Sequence, residues 1–340
     1  MIGLLFAAAL VMGCVTSLFV TPFVRRLAQH VGMLDVAGER RMHEDPKPRI
    51  GGIAVYLGFA FALFSTVGFA LHSTPIFHDP EEIHSFLGLL FGGTLILGIG
   101  IWDDVMGMRP RNKLIAQIVV ALVSMIYGFI VPGFNNPFDH NPNTNWIAFP
   151  TWVAVPLTLV WYLGMMNAIN FIDGLDGLLS GITAISAASL FIIAMQHGHS
   201  VVALVLAALI GATLGFLPYN FNPAKIILGD SGALFIGYVF ATVSIMGVAK
   251  SAIAISLLIP VIVLALPILD TAATIVRRTR AGRSITDADR GHFHHQLVFK
   301  YGLNVRQAVL LIYVVCVILG AAALAISGSF HAPTHLAGIY

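Results

Sequence analysis

The sequence predicts an all-α, polytopic integral membrane protein with about ten transmembrane helices, and three observations carry that prediction. The chain is 58% hydrophobic and only 10% charged, with a mean hydropathy of +0.89, where soluble domains average about 25% charged residues. Apolar runs of near-spanning length recur from one end to the other, and a crossing helix needs roughly 17–25 mostly apolar residues. Finally, 16 of the 18 Lys and Arg residues fall in alternate loops, a bias that orients the runs.

In chain order the candidate spans are about 2–24, 50–72, 86–102, 114–131, 151–168, 178–195, 201–217, 232–249, 253–276 and 306–327. The first has no basic stretch before it, and Arg25 and Arg26 follow it; a retained helix is expected rather than a cleaved signal peptide. Only "QHGHS" (196–200) separates the sixth and seventh. Cys14 and Cys316 lie inside apolar runs and define no disulfide framework. With the N-terminus outside, the cytoplasmic loops are about 25–49, 103–113, 169–177, 218–231 and 277–305. They hold the 16 basic residues, leaving Lys250 opposite and Arg306 at an edge. Both termini are then expected outside, with residues 1–340 forming one transmembrane domain.

Most acids sort to the same face, and four stretches there carry the chemistry. "GIWDDVMGMRPRNK" (100–113) places Asp103 and Asp104 side by side at the end of the third span. On a helix adjacent side chains point about 100° apart, so the pair can divide labour, one acid holding a cation and the other reaching a substrate. "NAINFIDGLDG" (167–177) sets Asn170, Asp173 and Asp176 three residues apart, a polar stripe if the segment is helical. Gly174 and Gly177 remove side chains where a ligand or a second backbone could approach. A turn-rich helix boundary is the plainer reading, but it does not call for two acids aligned with an amide.

"PYNFNPAKIILGDSGALFIGY" (218–238) enters the eighth span. Asp230 and Ser231 could simply cap that helix; alternatively Asp230 supplies a metal oxygen while the glycine-flanked helix start favours phosphate. Asn220 and Asn222 offer neutral donors and acceptors beside it. "DRGHFHHQL" (289–297) carries His292, His294 and His295 in an arginine-rich loop. No cysteine is near, so an anionic group such as a diphosphate fits better than zinc. Asp270, in "ALPILDT", is an acid inside an apolar run, which by default is functional or paired. Its partner stays open, with Arg277 and Arg278 in reach.

No Walker-type phosphate loop, G-x-S-x-G elbow, long soluble domain or internal repeat is present. Carboxylates, amides, histidines and arginines on one face suit Mg2+ held by one or two carboxylates and substrate phosphates.

In this order, "DDVMG", "NAINFIDGLDGLLSG", "AKIILGDSGALFIGY" and "DRGHFHHQL" resemble the polyprenyl-phosphate N-acetylhexosamine-1-phosphate transferases, from about Thr21 to Tyr313. That resemblance implies transfer of a sugar 1-phosphate from a UDP-sugar to a membrane-embedded polyprenyl phosphate, with release of UMP and dependence on Mg2+ or Mn2+. It makes Asp103 and Asp104 the catalytic pair and Asp104 and Asp230 the metal ligands. Asn170, Asp173, Gly174, Leu175, Asp176, Asn220, Lys113, His292, His294 and His295 become substrate-binding. Gly107 stands where the pentapeptide-transferase branch usually has lysine, and "HFHH" breaks its continuous histidine run. With "RMHEDPKPRIGG" (41–52) these features move the chain toward the GlcNAc-1-phosphate branch, hence UDP-GlcNAc as donor, undecaprenyl phosphate as acceptor and the bacterial inner membrane as location. The lipid bilayer is a partner, nucleic acid is not, and a homodimer is compatible. The rival readings are a phospho-MurNAc-pentapeptide transferase, a non-catalytic lipid-carrier scaffold, and a secondary transporter, which would set its acids at mid-bilayer in matched repeats.

Overall fold

The computed structural model describes residues 2–35, 46–73, 77, 80–135, 146–250, 258–280 and 293–329. Helices dominate: α1 (Ile2–Val31), α2 (Gly52–Ser73), α3 (Pro80–Met106), α4 (Pro110–Ile126), α5 (Thr151–Ile172), α6 (Leu178–Gln196), α7 (Ser200–Asn220) and α8 (Gly229–Lys250). A broken pair follows, α9 (Leu258–Val263) and α10 (Ala265–Arg280), then the short α11 (Phe293–Phe299) and α12 (Val305–Ser329). Two antiparallel clips are the sheet structure among the described residues: β1 (Leu34–Asp35) with β2 (Lys47–Pro48), and β3 (Gly133–Asn135) with β4 (Trp146–Ala148).

Eight of these helices are long and apolar enough to cross a membrane. The other two expected spans differ in shape. The fourth starts earlier than expected, at Pro110, because proline fits the first turn of a helix, where no N–H is needed; α4 is 17 residues long. The ninth is interrupted at Leu264, between α9 and α10, and residues 251–257 lie outside the described residues.

α7 and α8 form the centre and are buried along nearly their whole length, whereas α1 and α12 turn much of their surface outward. Apolar helices in lipid gain little from burying apolar surface against each other, so close van der Waals packing and hydrogen bonds hold them together. α1 and α7 touch backbone to backbone: a Cβ at Gly211 or Gly215 would run into the carbonyl oxygens of Leu10 and Cys14. A polar clamp ties α4, α5 and α8, in which Tyr162 and Thr242 share a hydrogen bond of 2.9 Å and Ser124 donates to Tyr238 over 3.1 Å.

One end of this bundle collects the C-termini of α3, α5 and α7 with the N-termini of α4, α6 and α8. The segment after β2 is zipped onto it. Ile227 N–H donates to Pro48 O (2.8 Å), and Gly51 and Gly52 N–H donate to Ile227 O and Leu228 O (2.9 and 2.8 Å).

Candidate active site

The last turn of α3 sends its two acids in different directions, as the 100° offset requires. Asp104 points at the start of α8. Its Oδ1 accepts the N–H of Asp230 (2.8 Å) and its Oδ2 that of Ser231 (2.9 Å). These N–H groups have no partner within their own helix, so α8 is capped by a carboxylate from another helix, where the helix dipole favours negative charge. Gly229 is required twice: its φ is +79°, and a Cβ there would press on the Asp104 carboxylate. Asp103 instead accepts the N–H of Met108 at Oδ1 (2.7 Å), closing the turn into α4, and pairs with Lys113 at Oδ2 (2.8 Å).

Asp230 is the hub. Lys113 Nζ reaches its Oδ1 at 2.7 Å, Asn170 Nδ2 donates to the same oxygen, and Arg49 Nη2 donates to Oδ2. Arg49 Nε also lies 2.9 Å from Asp104 Oδ1. Thus Arg49 bridges Asp104 to Asp230, and Lys113 bridges Asp103 to Asp230. Beneath this layer, Asn167 Nδ2 donates to Gln117 Oε1 over 2.8 Å. That amide pair zips α4 to α5 one turn from Lys113 and Asn170.

The expected polar stripe of Asn170, Asp173 and Asp176 is corrected here: α5 ends at Ile172, and Gly177 sits at φ +81°. Asp173 and Asp176 therefore occupy a loop and diverge. Asp176 turns to β2 and to the segment after α7: its Oδ2 accepts from Lys47 Nζ (2.8 Å), Ala224 N–H (3.0 Å) and Asn222 Nδ2 (3.2 Å). Burial pushes the Asp173 carboxyl up to about 8, with the negative charges of Asp230, Asp104 and Asp176 adding to the shift and Arg49 opposing it. Leu175 is buried beneath the loop. Asn220 is buried as well; its oxygen accepts from Ser180 Oγ (2.7 Å) and its amide donates to Ile226 O (3.0 Å), so it shapes the 221–226 segment.

α11 brings the histidine motif to the same loop. His294 is buried, and its Nε2 occupies the space a Cβ on Gly174 would need. The His295 ring lies 4.3 Å from that of His294, centroid to centroid. His292, Arg283 and Arg290 lie outside the described residues.

The profile of glycosyl transferase family 4 matches residues 86–248. A Bacillus subtilis protein described as a probable undecaprenyl-phosphate N-acetylglucosaminyl 1-phosphate transferase is 34% identical over 322 residues, covering 94% of this chain and 85% of its own. This chain belongs to that family. The decaprenyl-phosphate N-acetylglucosaminephosphotransferase of Mycobacterium tuberculosis is 35% identical, with 87% of this chain and 76% of its own covered. The undecaprenyl-phosphate alpha-N-acetylglucosaminyl 1-phosphate transferase of Escherichia coli is 29% identical, with 90% and 79% covered.

In this family member the profile spans the acids and Lys113, while Lys47, Arg49 and His294 enter the site from outside its limits. Lys47 and Arg49 were not singled out in the sequence; the clue was the proline-glycine pattern of "PKPRIGG", which sets a rigid segment beside the acids. Among the described residues no three acidic, histidine or cysteine side chains form a metal-holding group. Mg2+ is commonly held by one or two carboxylates with further ligands from phosphate and water, and Asp230, Asp104 and Asp103 offer oxygen donors of that kind. The donor set therefore fits a hard divalent ion.

Proposed function

We propose that the chain transfers N-acetylglucosamine 1-phosphate from UDP-GlcNAc to undecaprenyl phosphate, releasing UMP. A phosphate oxygen of the acceptor attacks the β-phosphorus of the donor, and the bond from that phosphorus to the oxygen bridging to UMP breaks. The product is undecaprenyl-diphosphate-GlcNAc. The observation that carries this reading is the meeting of Arg49, Lys113 and Asn170 on Asp230, in a chain related along most of its length to polyprenyl-phosphate GlcNAc-1-phosphate transferases.

Each residue has a task in that reaction. Arg49 and Lys113 supply positive charge where two phosphorylated substrates must approach each other. Asp103, held by Lys113, orients the acceptor phosphate or takes its proton. His294 and His295 contact the donor diphosphate, and Asn170, Asp173 and Asp176 shape the nucleotide side of the site. Asp230 and Asp104 would hold Mg2+, which when bound neutralises diphosphate charge and favours departure of UMP.

The topology follows from the same end of the bundle. α3 enters the site and α5 enters it again, which supports α4 as a crossing between them. α8 leaves the site and α12 starts near it, with Arg306 donating to Asn222 O, which supports α9 and α10 as a joint return. This alternation supports ten passes with both termini outside, and the bias of the basic loop residues supports a site on the cytoplasmic face of the inner membrane. Purified protein given labelled UDP-GlcNAc and undecaprenyl phosphate should form labelled lipid and UMP. Activity with UDP-MurNAc-pentapeptide and none with UDP-GlcNAc would favour the sister branch.

A further inference from the structure

Asp270 is a buried acid on α10, 9% exposed, and the reaction above gives it no task. Its Oδ1 accepts the backbone N–H of Phe293 over 2.8 Å. Phe293 is the first residue of α11 and the next residue is His294. A seven-residue helix is far below the length at which helices hold themselves together in water, so its position must come from anchors. Among the described residues, two anchors are clear. Leu297, on the same face as His294, is buried, and the Asp270 carboxylate meets the first turn, a charge-assisted bond stronger than a neutral one. α10, which carries Asp270, packs against α5, the helix that leads into the loop holding Gly174. The His294 ring fills the space left by the missing Cβ of Gly174.

We infer that Asp270 is a positioning residue for the histidine motif: its carboxylate fixes the first turn of α11 and thereby seats His294 against Gly174. The seating is a matter of geometry, and only its consequence for donor binding rests on the function proposed above.

Two measurements on the full-length protein in detergent separate those parts. The first is the rate of diethylpyrocarbonate modification at each histidine, read by peptide mass spectrometry. His294 should be protected in the wild type, react several-fold faster in Asp270→Ala, and stay protected in Asp270→Asn, which keeps an acceptor oxygen. His197, bonded to Ser327 beyond the far end of α6, reports whether the bundle is intact. Phe293→Pro removes the donor N–H at a position where proline suits a helix start, and it should expose His294 as Asp270→Ala does. It carries the test if the alanine variant does not fold. Unchanged His294 reactivity in whichever of the two variants folds would overturn the proposal.

The second measurement is UDP-GlcNAc affinity. Asp270→Ala should weaken it by about tenfold, with no further loss when added to His294→Ala, because residues acting through one another are not additive. Full additivity would overturn the link to His294 even where the labelling agrees. Labelling as expected with donor affinity unaffected by His294→Ala would instead count against the donor-binding role of the histidines, leaving the seating in place.

Discussion

Asp104 holds Asp230 twice, through the backbone N–H of Asp230 at 2.8 Å and through the guanidinium of Arg49 that both carboxylates share. The helix that carries the hub acid is thus aimed by a second acid of the site. Removing either residue should cost activity, but only one removal should cost stability.

Asp104→Ala strips the cap from α8, and loss of a cap costs about 0.5–2 kcal/mol. Its melting temperature in detergent should fall clearly, while Asp230→Asn, whose backbone N–H remains, should melt near the wild type. Both should be inactive. Equal melting of Asp104→Ala and wild type would remove the capping role.

Asp103→Asn should lower kcat by about 10²–10⁴-fold, the range of general-base contributions, and leave UDP-GlcNAc affinity in the presence of Mg2+ nearly unchanged. Asparagine keeps the shape and the Oδ1 that closes the turn to Met108. Near-normal kcat with lost nucleotide binding would assign Asp103 to the donor side.

The carboxyl of Asp173 titrates at about 8 in the folded protein against an ordinary 3.8, so the folded state keeps a proton that the unfolded chain releases. The stability it contributes is full below the lower value, declines as pH rises between the two, and is lost above the upper one. In Mg2+-free buffer the wild type should therefore lose melting temperature relative to Asp173→Asn on going from acid to alkaline pH. Parallel curves would mean that the acid is solvated.

Gly174→Ala would drive a methyl group into the His294 ring, and overpacking of this kind costs about 1–3 kcal/mol. Adding His294→Ala should restore most of the lost melting temperature. A double variant no more stable than Gly174→Ala alone would show that the two residues do not touch.

The acids were legible in the sequence because charge is scarce in so apolar a chain, and each cluster sits where an apolar run ends. The stripe through Asn170, Asp173 and Asp176 was misread because a spacing of three residues means one face only while the helix lasts, and α5 stops at Ile172. Arg49 and Lys47 could not be assigned, since their place depends on the pairing of Pro48 and Ile227, a contact between segments distant in sequence. The sequence leaves the partner of Asp270 open; its carboxylate meets the Phe293 backbone N–H, a contact that no side-chain pattern announces. α4 was placed four residues late because its first turn carries the polar residues Arg111, Asn112 and Lys113.

The measurement that tests phosphosugar transfer most directly uses UDP-GlcNAc carrying radioactive phosphorus in its β-phosphate, incubated with undecaprenyl phosphate and Mg2+. With the wild type the label should appear in the extracted lipid and UMP should be unlabelled, whereas Asp230→Asn should leave all label in the donor. Label released as UDP while GlcNAc reaches the lipid would mean that the sugar moves without its phosphate, contradicting the reaction assigned to this site.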